Sequence, residues 1–273
     1  GPRITSVEIG GTTWTGSDMA VAFGDAKQLA PLPFYGINRI TLTFDEPVTI
    51  TATSLALAGV NTPTYALTPS VEPGVASQTI TWTLATPLTA DRLMLDLENE
   101  QTLDGAGNRL DGEWMDAVSI FPSGDGTRGG DFRFAFHVLA GDVNQDGSVT
   151  PADLALARQR AFSVLGDAKY DLLSDIDASG KVNVVDLIRI RNAMGVTLPP
   201  AASPIAAPSA AAAAATASVD RNDASRPATA QVYATARVTT SRAERRTIAD
   251  ADSAIARGIV HETGFPNAAS RRR

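Results

Sequence analysis

Two twelve-residue segments repeat one pattern of oxygen-bearing side chains, and they constrain the fold of this chain more than any other feature. They read DVNQDGSVTPAD from Asp142 to Asp153 and DIDASGKVNVVD from Asp175 to Asp186. Oxygen-bearing side chains stand at positions 1, 3, 5, 9 and 12 of both segments, and position 6 is glycine in both. Glycine at that place indicates a sharp turn whose backbone angles other residues adopt only with strain. Each segment is therefore predicted to close into a loop that gathers several oxygen atoms.

Oxygen ligands from positions 1, 3, 5, 7, 9 and 12 of such a loop are the set that Ca²⁺ takes in an EF-hand, with position 7 giving its backbone carbonyl and position 9 often acting through water. The predicted ligands of two calcium ions are Asp142, Asn144, Asp146, Ser148, Thr150 and Asp153 in the first loop and Asp175, Asp177, Ser179, Lys181, Asn183 and Asp186 in the second. The alternative is that two acidic turns merely precede two helices. In that case three carboxylates in each loop would face one another without a cation, which their repulsion opposes.

The residues after each loop are typical of helix starts. Thr150 to Asp153 combines a capping hydroxyl, a proline at the first helical position and an acidic third residue. Helices are predicted from Pro151 to Leu165 and from Val184 to Met194. Position 8 is valine in both loops, Val149 and Val182, which predicts a short strand pairing between the loops.

This loop-helix pair resembles type I dockerins, whose halves keep the calcium loop and the helix after it but lack the helix that enters an EF-hand. In that family a cohesin partner contacts loop positions 10, 11, 17, 18 and 22. The resemblance implies partner contacts at Pro151, Ala152, Arg158, Gln159 and Ser163 in the first half and at Val184, Val185, Arg191, Asn192 and Val196 in the second. Cellulosomal dockerins often carry hydroxyl residues at positions 10 and 11, and neither half does so here. The resemblance is therefore stronger for the calcium ligands than for the cohesin contacts.

Short runs of alternating apolar and polar residues fill the chain before the first loop, and Gly, Pro, Asn and Asp separate them. This pattern is typical of a β-sandwich. The predicted strands are Ile4 to Ile9, Arg39 to Phe44, Ser54 to Leu57, Thr64 to Leu67, Thr79 to Leu84, Arg92 to Leu97, Ala117 to Ile120 and Phe132 to Leu139. Ser17 to Gln28 lacks alternation and is predicted to form a short helix or an irregular excursion. Trp14, Trp82 and Trp114 are predicted to pack in the core or at its edge.

Two motifs in this region, ITLTFDEPV and DGAGNRLDGEW, resemble the bacterial Ig-like domains of modular surface proteins. The junction GGDFRFAFHVLAGDVNQDG resembles the way such a domain runs into a dockerin-type pair in planctomycete secreted proteins. The resemblance implies an Ig-like sandwich and a secreted or cell-surface bacterial protein. Gly1 and Pro2 are typical of a protease scar, so we expect the natural chain to extend further at its N-terminus.

The acidic stretch from Asp96 to Asp116 offers two functional alternatives, a third calcium site at the DGAGN turn and an acid–base pair at Glu98 and Glu100. A solvated strand end and tight turn is the favoured interpretation, because residues two apart on a strand point the same way and do not flank a bond. The sequence has two histidines, His137 in a predicted strand and His261, and it has no zinc-type cluster or phosphate-binding glycine loop. We therefore predict no catalytic residues and no enzymatic activity.

Residues 198–273 are rich in Ala, Pro, Ser, Thr and Arg and are predicted to be a linker-like tail with one helix over residues 242–257. Ten arginines against six acids make this tail basic, whereas residues 1–197 carry a net charge of about −11. The tail either stays free in solution, binds an anionic surface or docks on the acidic body. Its positive charge is sparse and not interleaved with aromatic residues, which does not favour nucleic-acid binding. No run approaches the roughly 20 apolar residues of a membrane span, and the lack of cysteine leaves the redox compartment open.

The sequence thus predicts a mainly β Ig-like sandwich over residues 1–140, a small α dockerin-like pair over residues 141–197 and a low-complexity tail over residues 198–273. The predicted function is a non-catalytic calcium-binding attachment module that docks on a cohesin-like protein domain. One alternative is a calcium-stabilised structural spacer in which the pair packs on its own sandwich. Another is an accessory region of a larger secreted enzyme. The oligomeric state and the calcium affinity do not follow from the sequence.

Overall fold

The computed structural model describes residues 1–201, and the predicted tail helix over residues 242–257 lies outside these described residues. Two sheets face each other as a sandwich, and a pair of short helices follows them. The strands are β1 Ile4–Gly10, β2 Met19–Ala20, β3 Pro31–Leu32, β4 Ile37–Ile50, β5 Leu55–Gly59, β6 Leu67–Pro69, β7 Ser77–Leu88, β8 Ala90–Leu97, β9 Thr102–Asp104, β10 Phe132–Leu139, β11 Ser163–Val164 and β12 Lys181–Val182. The helices are α1 Pro151–Arg160 and α2 Val184–Ala193.

The first sheet has the order β2-β1-β4-β7-β6, with β9 pairing on the far end of β4, and the second has the order β3-β10-β8-β5. All these pairings are antiparallel except that of β3 with β10. The sandwich and its small helical pair confirm the predicted fold class. The finer Ig-like assignment and the domain boundaries stay predictions.

The alternation read from the sequence marks the inner faces of the two sheets. Ile40, Leu42 and Phe44 of β4 are fully buried, and Phe132, Phe134 and Phe136 of β10 are buried on the facing sheet. Trp14 and Trp82 are buried at 8% and 1% exposure, and Trp114 packs at the edge of the core with its ring centroid 5.6 Å from that of Phe132. The tryptophans are therefore core and edge residues, as predicted.

Each helix starts at a capping box. The side chain of Thr150 accepts a hydrogen bond from the backbone of α1, and the Asp153 carboxylate accepts one from the Thr150 N–H. Asn183 and Asp186 repeat this arrangement at α2. The predicted start of α1 is confirmed, but its predicted end at Leu165 is wrong. The helix ends at Arg160 because Phe162 has a left-handed φ of 63° and its N–H donates to Val182 O at 2.7 Å. The extent of α2 is confirmed to within one residue.

The predicted strand pairing between the two loops is also wrong. Val182 pairs with Ser163, which follows α1, and the Val149 N–H donates to Val196 O, which follows α2, at 2.9 Å. The second loop is therefore bonded to the segment after α1, and the first loop to the segment after α2. Residues of α1 and α2 pack together in the core of the pair. Two short halves thus share one small core, in which Leu139 at the end of β10 also takes part.

Three predictions in the sandwich need correction. Ala117 to Ile120 forms no strand, because Ala117 has a left-handed φ of 60° and its N–H donates to the side chain of Gln28 at 3.0 Å rather than to a neighbouring strand. The strand predicted over Thr64 to Leu67 begins only at Leu67, the first residue of β6. Tyr65 lies before it, and its N–H donates to Leu57 O of β5, which belongs to the other sheet. Ser17 to Gln28 contains the short strand β2 and the start of a 3₁₀ turn, Ala26–Leu29.

None of the helices within residues 1–201 has the length and apolar character that crossing a membrane requires.

Candidate metal centre

The first and last carboxylates of both loops are fully buried and are held by the same backbone groups. Asp142 accepts hydrogen bonds from the N–H groups of Asp146 at 3.1 Å and Gly147 at 2.8 Å. Its counterpart Asp175 accepts from the corresponding Ser179 at 3.1 Å and Gly180 at 2.8 Å. All four end carboxylates, Asp142, Asp153, Asp175 and Asp186, have no solvent exposure. The two loops therefore share one shape, although their sequences agree at only part of their positions.

Three carboxylates gather in the second loop. Asp175, Asp177 and Asp186 each place an oxygen within 4.8 Å of the others. Oδ1 of Asp177 is buried and has no hydrogen-bond partner among the described residues. A buried carboxylate oxygen without a donor is unfavourable unless a cation or proton neutralises it. This orphaned oxygen fits a bound metal ion.

In the first loop the residues at positions 3 and 5 are hydrogen-bonded to each other. The amide of Asn144 donates to Asp146 Oδ2 at 2.7 Å, and Asn144 Oδ1 accepts from the Asp146 N–H at 3.1 Å. Both side chains are exposed. The oxygen atoms at positions 1 and 12 are therefore fixed by the fold, whereas those at positions 3 and 5 lie at the open side of the loop.

Burial and mutual repulsion raise the pKa of the enclosed carboxylates. Burial raises the pKa of Asp142 to about 6, with Asp153 and Asp146 adding to the rise. Burial likewise raises the pKa of Asp186 to about 6, and Asp177 and Asp175 contribute. The pKa of Asp175 is raised, mainly by burial. A cluster of oxygen atoms that favours added positive charge, without nitrogen or sulfur donors, suits a hard divalent cation such as Ca²⁺.

The sandwich contacts both loops at position 4, a position that supplies no ligand. Gln145 and Ala178 both have left-handed φ angles, 60° and 51°. The Gln145 amide donates to Pro31 O at 2.9 Å, and Ala178 lies in the sandwich core at 3% exposure. Ala178 O accepts from the Gly16 N–H at 3.2 Å. The sandwich thus holds each loop at a position whose side chain supplies no predicted ligand.

Comparison with known families identifies this segment. Residues 140–195 match the dockerin type I domain. We call this part of the chain the dockerin segment. No curated protein matches the sequence.

Solved structures align with about half of the chain. The N-terminal part of the bacterial S-layer protein SbsC aligns at 13% identity over 50% of this chain and 23% of its own, with a TM-score of 0.26. A C-terminal interface mutant of a type II cohesin–X–dockerin complex from Acetivibrio cellulolyticus aligns at 14% identity over 53% of this chain and 82% of its own, with a TM-score of 0.23. The N-terminal interface mutant of that complex aligns at 12% identity over 55% of this chain and 95% of its own, with a TM-score of 0.22. This chain therefore spans about a quarter of the SbsC structure, and scores this low add nothing to the fold described above.

The positions of the dockerin segment that were predicted to contact a partner are solvent-exposed with one exception. The exposed ones are Pro151, Ala152, Arg158, Gln159, Val184, Val185, Arg191, Asn192 and Val196. Ser163 is buried, because its hydroxyl donates to Arg160 O at 2.7 Å and its backbone pairs in β11, so its predicted partner contact is wrong. Asn192 and Val196 also line a cavity against Tyr35 and Thr89 of the sandwich. The second half is therefore free on one side only.

Sequence reasoning missed two residues that shape the dockerin segment, Phe162 and Arg189. Phe162 is 85% exposed beside the buried Ser163. Arg189 lies over the Tyr35 ring and within 4.0 Å of Asp177 Oδ2. The sequence shows only that each has a large side chain at a position with no predicted ligand or core role. It does not show which residues distant in sequence lie beside it.

Two other buried carboxylates, Asp104 and Asp111, are held by backbone groups of turns and loops. Asp104 accepts hydrogen bonds from the Ala106 and Asn108 N–H groups at 2.8 Å and from the Asn108 amide at 2.7 Å, and these bonds lower its pKa. Asp111 similarly accepts from the N–H groups of Asp125 and Gly126 at 3.0 and 3.1 Å. Asp104 therefore closes a turn with its own neighbours, whereas Asp111 holds a loop 14 and 15 residues further along the chain. Asp111, Glu113 and Asp125 also each place an oxygen within 4.8 Å of the others.

The residues considered for catalysis do not converge. The Glu100 side chain is 69% exposed and pairs with Arg109 at 3.0 Å, whereas Glu98 accepts a hydrogen bond from Gln101. His137 is buried in β10, and burial lowers its pKa. Within residues 1–201 these groups offer no nucleophile with a base beside it.

Proposed function

We propose that this chain is a non-catalytic attachment module of a secreted or cell-surface bacterial protein, whose dockerin segment binds two Ca²⁺ ions and docks on a cohesin-like protein domain. The observation that carries the proposal is the repeated burial of two end carboxylates in each of two loops that match a dockerin type I domain. The predicted ligands are the twelve residues named from the loop pattern. Dockerin domains are interaction modules without catalytic activity, which agrees with the scattered positions of Glu98, Glu100 and His137.

Calcium, when bound, supplies the positive charge that offsets the repulsion of three carboxylates in each loop. The chain's own contribution is to hold these carboxylates together. Backbone N–H groups fix Asp142 and Asp175, and the capping boxes fix Asp153 and Asp186 at the starts of α1 and α2. Because the ligands and the helix caps are the same residues, we expect metal binding to stabilise both helices.

The test is to remove and restore the ion while following helix content and stability. We expect metal analysis of the dialysed protein to give two calcium ions per chain, and we expect EGTA to reduce the helical circular dichroism signal and the melting temperature. Mg²⁺ at the same concentration serves as the control ion. Absence of calcium uptake, or an unchanged melting temperature in EGTA, would contradict the calcium part of the proposal. Failure of the calcium-loaded chain to bind any purified type I cohesin domain would contradict its partner part.

A second candidate function is a rigid calcium-stabilised spacer, and the contacts between the sandwich and the second loop favour it. The Tyr35 N–H donates to Ile176 O at 2.6 Å, and Thr15 Oγ1 donates to Ser179 O at 3.3 Å. On the other side, Arg92 Nε donates to Pro199 O at 2.8 Å. Small-angle scattering with and without EGTA separates the two functions, because a spacer is expected to lengthen or become flexible when the ion is removed even where no partner binds.

A further inference from the structure

Large apolar side chains are exposed on one face of the dockerin segment. Phe162 is 85% exposed, Leu165 72% and Val164 45%, all just after α1. At the start of α2, Val184 is 56% exposed, Ile188 50% and Val185 41%. We call these six residues the Phe162 face. Isolated exposed apolar residues are common, but a group of this size marks a contact surface.

The two parts of the Phe162 face are neighbours because β11 pairs with β12. Val164 lies opposite Lys181, and the Leu165 N–H donates to Gly180 O at 2.8 Å. Residue 182, which receives the hydrogen bond from the Phe162 N–H, stands two residues before Val184. The stretch after α1 therefore runs alongside the start of α2 and forms one continuous surface with it.

The equivalent face of the other half is built differently. The repeat of 33 residues places Gly195, Thr197 and Leu198 where the Phe162 face has Phe162, Val164 and Leu165, and it places Pro151, Ala152 and Ala155 where that face has Val184, Val185 and Ile188. Leu198 is partly buried in the small core of the pair. The neighbouring Pro199 is buried and accepts the hydrogen bond from Arg92 of β8. This second face therefore offers small side chains next to the sandwich.

The backbone conformation of Phe162 is unfavourable for a bulky side chain, and packing within the described residues does not account for the ring. Its φ of 63° is left-handed, a region that bulky residues rarely occupy, and the equivalent Gly195 has a φ of 86°. Glycine would fit this turn without strain, and nothing among the described residues covers the ring at 85% exposure. Strained residues concentrate at functional positions, so the aromatic ring at this turn indicates a contact outside the chain.

Positive charges border the Phe162 face. Arg160 precedes Phe162 by two residues, Lys181 lies opposite Val164 and Arg191 stands one helical turn from Ile188, and all three are exposed. Within residues 1–201 none of the three forms an ion pair, while Asp167 on the same stretch accepts from the Val164 N–H at 2.9 Å. The border is therefore basic although residues 1–197 are strongly acidic overall. It complements a partner that carries carboxylates around an apolar cleft.

We propose that the dockerin segment docks through the Phe162 face alone, with Phe162 as its anchor, on a protein surface that offers an apolar cleft bordered by carboxylates. The proposal rests on the proposed function in that the partner is a cohesin-like domain. It differs from the symmetric set of contacts that the family resemblance implies, because it assigns no contact to Pro151 and Ala152. Buried aromatic anchors commonly dominate the affinity of such interfaces.

The test measures binding of the full calcium-loaded chain to purified type I cohesin domains. Phe162→Asn replaces the ring with a side chain that tolerates the left-handed backbone. We expect this variant to weaken binding by about 30-fold or more. Val164→Lys and Thr197→Lys form a matched pair at equivalent positions, and only Val164→Lys is expected to weaken binding. Ile120→Asn, at a 69% exposed position of the sandwich, controls for loss of an exposed apolar side chain. Unchanged calcium stoichiometry and melting temperature show that each variant is folded.

Three results would overturn the one-face proposal. Binding that survives Phe162→Asn but is lost in Thr197→Lys would place the contact on the other face and leave the proposed function intact. Sedimentation showing a dimer that dissociates in Phe162→Asn would make the face a contact between copies of this chain. A calcium-loaded wild-type chain that binds no cohesin domain would overturn both this proposal and the partner part of the proposed function, with the calcium part unaffected.

Discussion

The guanidinium of Arg189 lies 4.4 Å from the ring centroid of Tyr35 and joins the second half of the dockerin segment to the sandwich. Arg189 belongs to α2 and also approaches Asp177 Oδ2 at 4.0 Å, whereas Tyr35 directly precedes Gly36 and β4. The backbone of Tyr35 contacts the same loop through its N–H and accepts from Trp14 Nε1 at 2.8 Å. One residue of the sandwich thus connects a core tryptophan with a predicted ligand loop.

This pair predicts a measurable coupling between sandwich and dockerin segment. We expect Tyr35→Leu and Arg189→Met each to destabilise the calcium-loaded protein, and the double variant to cost less than their sum by about 0.5–2 kcal/mol, because either substitution alone already removes the cation–π contact. Denaturant unfolding of the four proteins measures this difference. Additive costs would show that the contact contributes nothing.

The buried end carboxylates predict a stepwise loss of metal. Asp142→Asn and Asp175→Asn should each reduce the bound calcium from two ions to one, because each removes a charged ligand from one loop and leaves the other loop intact. Metal analysis after dialysis gives the ion count directly. Asp125→Asn, in the exposed part of the Asp111 turn, is the matched control and should keep both ions. A lost ion in that control would place one of the counted ions at the Asp111 turn instead of in a loop of the dockerin segment.

The raised pKa values predict how pH changes the effect of calcium. In the metal-free protein the folded pKa of Asp142 and Asp186 is about 6, above the ordinary value of 3.8, so the folded state holds protons that the unfolded state releases. Their contribution to stability is therefore present at low pH and is lost as pH rises towards 6 and beyond. Calcium competes with these protons, so the stabilisation by calcium should be smaller at pH 5 than at pH 7.

The measurement is the melting temperature in calcium minus that in EGTA, taken at both pH values. We expect the difference to shrink by roughly 3–8 °C at pH 5. Taking the difference cancels groups that are not predicted ligands and titrate alike with and without the ion. His137 is one of them, since its lowered pKa makes the fold less stable as pH falls below 6.5. An equal difference at both pH values would show that the enclosed carboxylates do not titrate in this range.

The buried carboxylate of Asp91 predicts that its removal destabilises the sandwich. Its carboxylate is 1% exposed and accepts from the N–H groups of Val60, Asn61 and Thr62 and from the Tyr65 hydroxyl at 2.7–3.1 Å. Asp91→Ala leaves these donors without a partner, so we expect a loss of about 2–4 kcal/mol in urea unfolding. Glu72→Ala, at an exposed loop position, should change stability by less than about 0.5 kcal/mol.

The shape of the two acidic loops and the helix starts followed from sequence because they are local. Glycine at position 6, oxygen-bearing residues at fixed spacing and a capping box lie within twelve residues, so their geometry depends little on the rest of the chain. Alternation located most strands for the same reason. It failed at Ala117 to Ile120, where the hydrogen bond from the Ala117 N–H goes to Gln28, a residue 89 positions away.

The sequence by itself determined that two oxygen-lined loops and a sandwich would form, since spacing and alternation encode local shape. Only the tertiary structure decided which surfaces stay free. It buried Ala178 against the sandwich, enclosed Ser163 between Arg160 and Val182, and left Phe162 exposed. These outcomes depend on which residues distant in sequence come together, and a periodic pattern in one segment carries no information about the partner that covers it.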